Sequence, residues 1–137
     1  MINFNILKDG TVQFQYIDLW SSPWTWGGLP APGKGEIAVI QSGQYIYFDA
    51  ATTPVLNAII IQGGSLIFDD NQDVSLNVEY IIITDGGLLQ IGMFIFFTFF
   101  LIFFTNHSYT NKGTKQNPFM HKAVITMHGS ARYADKF

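Results

Sequence analysis

The stretch "AIIIQGGSLIFDD", residues 58–70, decides the predicted fold. An apolar run leads to a glycine pair, and a second apolar run with alternating side chains follows it. Short apolar runs bounded by Gly, Asp and Ser are typical of β-strands. Glycine suits a tight corner between strands because it has no Cβ atom and accepts positive φ angles. The stretch therefore predicts a strand, a glycine corner at Gly64 and a second strand.

The same pattern recurs three times along the chain. The matching stretches are "IAVIQSGQYIYFD" around Gly43, "IIITDGGLLQIG" around Gly87 and "AVITMHGSARYAD" around Gly129. The intervals from Gly43 to Gly64 and from Gly64 to Gly87 are nearly equal. Self-similarity at this spacing indicates a solenoid, in which units bury their apolar faces by stacking on one another.

The repeat predicts an all-β fold, a right-handed parallel β-helix with coils of about 21–23 residues. A leucine-rich repeat has a similar length, but it needs an Asn and a Leu ladder that this chain lacks. A β-sandwich stays open as an alternative, because a glycine pair can also form a tight hairpin.

Alignment on the glycines also predicts which side chains stack inside the coils. The stacked positions lie on either side of each glycine, at the same distance before and after it. They are Val39, Ile60, Ile83 and Ile125 before it, and Tyr47, Phe68, Ile91 and Tyr133 after it.

Residues 93–113 break the repeat. The interval from Gly87 to Gly129 is twice as long as the one from Gly43 to Gly64, and removing the insert makes the two equal. The segment begins with the Phe-rich run 93–104, which has no glycine and no alternation. A helix needs about 20 apolar residues to cross a bilayer, so a membrane segment is disfavoured. We interpret the insert as a translated intron or gene-model error; a surface or interfacial loop and a membrane anchor are the alternatives.

Composition excludes several classes of site. The net charge of −3 gives no basic patch for nucleic acid, and the absence of cysteine excludes disulfides and thiolate metal sites. The start of the chain has no basic region followed by a continuous apolar run, so it does not resemble a signal peptide.

With the insert bridged, the chain resembles the G-eight domain of fibrocystin, fibrocystin-L and the cell-migration-inducing, hyaluronan-binding proteins. The resemblance covers residues 19–92 and 114–129. Its motifs are "LWSSPWTWGGLPAPGKGE", "VIQSGQYIYFD", "TPVLNAIIIQGGSLIFDDNQDVSLNVEYIIITDGGLLQIG" and "NPFMHKAVITMHG".

The resemblance implies an extracellular or cell-surface module of a larger protein, followed by further β-helix coils as its neighbours. Such a piece need not carry its own signal peptide. Residues 19–137 would form the domain, and residues 1–18 would be the end of a preceding region or an N-terminal cap.

Trp20, Trp24 and Trp26 are the candidate ligand-binding residues, because indole faces stack on sugar rings. The alternative is that they close the end of the solenoid. Asp69, Asn71 and Asp73 have the alternate-oxygen spacing of a calcium loop. However, Val74 stands where that loop needs glycine, and a loop between coils is the alternative role. The sequence selects no catalytic residue, cofactor or resident metal.

Three functions follow as hypotheses. The first is a non-catalytic extracellular module with a structural role or a ligand, which could be a glycan such as hyaluronan or a protein. The second is a non-catalytic part of a polysaccharide-degrading enzyme whose active site lies in later coils. The third is a membrane-associated protein anchored by residues 93–104.

Overall fold

The computed structural model describes residues 2–6, 12–91 and 118–129, and this part of the chain is all-β. Its only helix is the single 3-10 turn Pro23–Trp26, so none of its helices has the length or apolarity to span a bilayer. The strands, in chain order, are β1 (Ile2–Ile6), β2 (Val12–Leu19), β3 (Ile37–Gln41), β4 (Tyr45–Phe48), β5 (Leu56–Gln62), β6 (Ser65–Phe68), β7 (Val74–Thr84), β8 (Leu88–Ile91) and β9 (Ala123–Met127). The insert 93–113 lies outside the described residues.

The strands form two sheets, and the chain passes from one to the other at each glycine corner. The first sheet has the order β1-β2-β4-β6-β8, and the second has the order β3-β5-β7-β9. All described pairs are parallel except β1 with β2. A hairpin would instead place both of its strands side by side and antiparallel. The corners thus join the two strands of each layer, β3 with β4, β5 with β6 and β7 with β8, as strand, corner and strand.

The two glycines of each pair at a corner are needed for different physical reasons. Gly63 and Gly86 have φ angles of 74° and 76°, a region that side chains with a Cβ atom rarely adopt. Gly87 instead lacks room, because a Cβ atom there would lie 2.5 Å from the carbonyl oxygen of Ile61 in the layer below. One glycine therefore makes the turn, and the next lets the layers approach.

The ladder predicted before the corners is wrong by one residue in the first two layers, because Val39 and Ile60 pair with each other outside the buried column. The ladder predicted after the corners is wrong by one residue in the first layer alone. Ile40, rather than Val39, pairs in register with buried Ile61, and Val39 points outward with 41% of its surface exposed. Likewise Phe48, rather than Tyr47, stacks on Phe68. The columns that continue the core from layer to layer are Ala38–Ile59–Ile81, Ile40–Ile61–Ile83, Ile46–Leu66–Leu89 and Phe48–Phe68–Ile91.

The error after the corner arises because the corners differ in length. In the first layer the chain runs from the inward position Ile40 to the inward position Ile46. In the second layer it runs from Ile61 to Leu66, which is one residue shorter. The predicted position after the corner is therefore shifted in the first layer. Before the corner the inward residue of the third layer, Ile83, lies four residues before its glycine, whereas Ile40 and Ile61 lie three residues before theirs.

The fourth predicted unit has a different register from the other three. β9 pairs with the first half of β7, and Ile125 lies opposite Leu76 instead of Ile83. Gly129 therefore lies beside Glu79 and Tyr80, well before the corner that begins after Thr84. The prediction of a stacked corner at Gly129 is wrong, because β9 starts along the β7 edge earlier than the glycine alignment assumes.

The two ends of the layered stack differ in how the core is closed. At the end formed by the first layer, the capped end, Trp20 covers the core and is 2% exposed. At the end formed by β7, β8 and β9, the open end, the described residues leave core positions exposed. Ile83, Ile91 and Met127 are 47%, 48% and 54% exposed.

Candidate ligand groove at the capped end

Trp20 is part of the core, so it cannot present its ring face to a ligand. Its ring meets Trp26 and Phe48 edge-to-face, with centroids 5.0 and 5.1 Å apart. Phe48 in turn stacks on Phe68 at 4.9 Å. These contacts cover the Trp20 ring at the end of the layered stack and leave no ring face for a ligand.

The 3-10 turn after β2 places the other two tryptophans differently. Pro23 fixes φ at the start of this turn, and Gly27 ends it with a φ of 68°. Trp26 folds back, and its indole Nε1 donates a hydrogen bond of 2.7 Å to the carbonyl oxygen of Trp20. Trp24 points outward with 86% of its surface exposed. The structure thus uses Trp20 and Trp26 in the cap and leaves the Trp24 indole free at the surface.

Asp49 anchors the cap to the first layer. Its carboxylate accepts hydrogen bonds of 2.9 Å from the Ser21 backbone N–H and 2.5 Å from the Ser21 hydroxyl. The Trp20 backbone N–H also donates to the carbonyl oxygen of Tyr47 at 2.8 Å. These bonds hold the turn in one position, so the surface beside it is preformed.

A groove of about 800 Å³ lies between this turn and the start of β3. We call it the Trp26 groove. Its walls are mainly apolar, and its described lining is Trp26, Leu29, Pro30, Ala31, Pro32, Gly33, Glu36 and Ile37. A second depression of about 330 Å³ shares Ala31, Pro32 and Gly33 with it. The volume lies in the range that protein sites for small ligands usually have.

Glu36 is the one charged residue in that lining. Its Oε2 atom accepts a hydrogen bond of 2.7 Å from the Gly33 backbone N–H, which orients the carboxylate at the groove. The sequence prediction missed Glu36 because no motif distinguishes it from other surface acids. Its only sequence signal is its place in the Pro/Gly linker that leads into β3.

The predicted calcium residues lie in the loop between β6 and β7, where they hold the chain together. Asp69 Oδ1 accepts from the backbone and side-chain N–H groups of Asn71, at 3.0 and 2.7 Å. Asp73 Oδ1 accepts from the Lys122 backbone N–H at 2.9 Å. Within residues 2–6, 12–91 and 118–129, no three acidic or histidine side chains are close enough to hold a metal ion. In these contacts the side chains fix the loop and the segment that leads into β9.

Asp70 is a structural residue that the sequence prediction did not single out. This side chain is buried, and its Oδ1 atom accepts from the backbone N–H groups of Met120 and His121 at 2.8 and 3.0 Å. The Nδ1 atom of His121 also lies 3.5 Å from the Oδ1 atom of Asp73. The loop between β6 and β7 therefore fixes the chain just before β9.

Tyr47 lies in the first sheet near this loop. Burial raises the pKa of the Tyr47 hydroxyl to about 12, and the negative charges of Asp69 and Asp70 add to the shift. Both causes disfavour the phenolate, so the hydroxyl stays protonated over the whole physiological range.

The comparisons with known proteins agree on one family. The G8 domain family matches residues 25–136 of the chain. Fibrocystin-L of Mus musculus is 42% identical over 130 residues, and Fibrocystin-L of Homo sapiens is 44% identical over 125 residues. These alignments cover 95% and 91% of this chain but only 2% of each relative.

A third relative matches over a shorter part. A protein described as cell surface hyaluronidase, from Danio rerio, is 37% identical over 68 residues, which is 46% of this chain and 5% of that protein. No solved structure matches the chain.

Proposed function

This chain belongs to the G8 domain family, and we propose that it is a non-catalytic, extracellular β-helix module of a larger fibrocystin-like protein. Its Trp26 groove would bind a glycan, and its open end would continue into further layers. The proposal has three parts: the solenoid, the groove and the open end.

The β-helix assignment is supported by the path of the chain. The equivalent positions Ile40, Ile61 and Ile83 recur at nearly equal intervals, always in parallel register. Repeated passage between two parallel sheets is what a β-helix requires, and crossover connections between parallel strands are right-handed in nearly all proteins. We therefore propose the right-handed form.

Trp24 carries the proposal of a ligand. Two neighbouring tryptophans already close the core, and the third is 86% exposed in the same turn that supplies a wall of the groove. An exposed indole on a fixed turn offers a large apolar face with little ordering cost on binding. Sugar rings have apolar C–H faces that match such a surface. The relative named as a cell surface hyaluronidase supports a glycan as the ligand class.

The open end supports a role as one module within a stack. Ile83 and Ile91 continue the buried columns of the inner layers, yet 47% and 48% of their surfaces are exposed. Exposed apolar side chains at core positions favour the stacking of a further layer. The chain spans about 2% of the fibrocystin-L relatives, whose greater length could supply such layers. Residues 1–18 would then precede the domain or extend its cap.

The carboxylates favour a non-catalytic role over a place in the reaction of a polysaccharide-degrading enzyme. Asp49, Asp70 and Asp73 accept hydrogen bonds from backbone N–H groups that fix the cap and β9. A glycosidase acid needs a carboxyl group that is free to protonate the leaving oxygen. These side chains serve the fold instead. An anchoring role for residues 93–104 concerns a segment outside the described residues.

Binding of the full chain to an immobilised glycan library tests the proposal. Trp24→Ala and Leu29→Ala should each lower binding at least about tenfold, which corresponds to about 1.4 kcal/mol. Leu88→Ala is the matched control, because Leu88 is an exposed apolar residue at the open end. Equal binding by all variants, or hydrolysis of a glycan by the chain alone, would overturn the proposal.

A further inference from the structure

We propose that the Trp26 groove selects an uncharged sugar and rejects acidic glycans such as hyaluronan. This inference rests on the proposed function, because it names the chemical class of the glycan that the groove would bind. Three observations carry it: the charges around the groove, the orientation of Glu36 and the shape of the walls.

The charges around the groove disfavour an anion. Its described lining contains one carboxylate, Glu36, and no lysine or arginine. The described part of the chain has only two such cations, Lys34 and Lys122, and Lys34 is exposed next to the groove residue Gly33. The only fixed charge in the described lining is therefore negative, which disfavours an anionic ligand there.

Glu36 suits hydroxyl groups and opposes carboxylates. The Gly33 backbone N–H holds its Oε2 atom at 2.7 Å, and a carboxylate has further lone pairs that can accept hydrogen bonds. Neutral sugars present several O–H donors, so one fixed carboxylate can accept from two neighbouring hydroxyls. A uronic acid would bring a second negative charge to the same place. Glu36 therefore favours the hydroxyl groups of a neutral sugar and disfavours the carboxylate of an acidic one.

The walls suit a rigid ligand with an apolar face. Trp26 and Ile37 bound the groove, and Pro30 and Pro32 lie in the segment between them. Proline fixes its own φ angle, so these walls lose little freedom when a ligand binds. An apolar peptide has only its backbone N–H groups to offer the Glu36 carboxylate, whereas one sugar ring carries several O–H donors beside an apolar face. The combination of Glu36 with the walls favours a sugar over a peptide.

A matched pair of oligosaccharides tests the inference on the full chain. The first probe is a hyaluronan tetrasaccharide, and the second is the same tetrasaccharide with its uronic acids reduced to neutral glucose. Isothermal titration should show at least tenfold tighter binding of the reduced form, with little change between low and moderate salt. Tighter binding of the acidic form, weakening with salt, would overturn the inference and leave the proposed function standing.

Two variants and a third probe sharpen the test. Glu36→Gln keeps an acceptor for the Gly33 N–H, so it should keep the fold and reduce the tenfold preference. Leu88→Ala should leave that preference unchanged. An unchanged preference in the Glu36→Gln variant would overturn the role given to Glu36. Binding of a proline-rich peptide in place of both sugars, or binding of neither sugar, would overturn the inference together with the proposed function.

Discussion

The two ends of the stack contain the same kind of layer but close the core differently. At the capped end, Trp20 packs edge-to-face on Phe48 and is 2% exposed. At the open end, Ile83 and Ile91 continue the same columns yet remain about half exposed. In a fold built of stacked layers the two end layers have a neighbour on one side only, so the core must be covered separately at each end. The capped end uses a tryptophan for this purpose, and at the open end the described residues leave core side chains exposed.

The largest effect should come from removing the cap. Trp20→Ala leaves a cavity over Phe48 and loses two edge-to-face ring contacts, so it should lower the free energy of unfolding by about 3–5 kcal/mol. Urea denaturation of the full chain measures this change. Trp24→Ala is the control within the same turn and should stay within about 0.5 kcal/mol of the parent. Equal losses in both variants would contradict the division of roles between these tryptophans.

Substituting two isoleucines of one column compares the stability of the interior with that of the open end directly. Ile61 is fully buried, and Ile83 is its partner in the next layer with 47% exposed. Ile61→Ala should cost about 2–5 kcal/mol and Ile83→Ala about 1 kcal/mol, because a half-exposed side chain loses less apolar contact. In a longer chain that adds a layer, the cost at Ile83 should rise toward that at Ile61. If the two costs stay apart in the longer chain, the open end is not where the next layer stacks.

The sequence predicts the stacked strands better than it predicts which residues of each strand point inward. The glycine spacing is enough to infer stacked strands, because each layer must return to the same place after a fixed length of chain. The one-residue error at Tyr47 arises because the first corner is longer than the second. The error at Val39 and Ile60 arises because the inward residue does not stand at a fixed distance before the glycine. The misplaced register of Ile125 has another cause: Asp70, far earlier in the chain, holds the segment before β9.

The candidate site, too, is only partly predictable from the sequence. The tryptophan cluster is visible as a motif, but which indole is buried depends on the turn after β2 and on a hydrogen bond from Trp26 to Trp20. Glu36 acquires its place in the groove from a contact with Gly33 across the linker. The burial of Trp20 and the position of Glu36 both depend on local backbone geometry, which the amino-acid composition does not reveal.

Asp70 permits a smaller and local test at the open end. Asp70→Ala removes the acceptor of the Met120 and His121 N–H groups, which should cost about 1–3 kcal/mol. The loss should appear as faster amide hydrogen exchange in β9, with little change in β3. Uniformly faster exchange throughout both sheets would mean instead that β9 and the capped end unfold as one unit.

The smallest expected effect is a pH dependence on the capped side. The pKa of Tyr47 is raised from 10.0 to about 12, so the folded state binds this proton more tightly than the unfolded state does. The contribution to stability is complete below pH 10 and is lost as the pH rises toward 12. A decrease on the order of 1–2 kcal/mol is expected over that window.

Tyr47→Phe should remove this part of the alkaline slope, because the variant has no hydroxyl to titrate. Urea denaturation of both proteins at intervals from pH 9 to pH 12 gives the comparison. The Tyr47 carbonyl oxygen accepts from the Trp20 backbone N–H, so the slope should be accompanied by exposure of Trp20, visible in its fluorescence. An equally steep slope in the phenylalanine variant would assign the alkaline loss to other groups and separate Tyr47 from the stability of the cap.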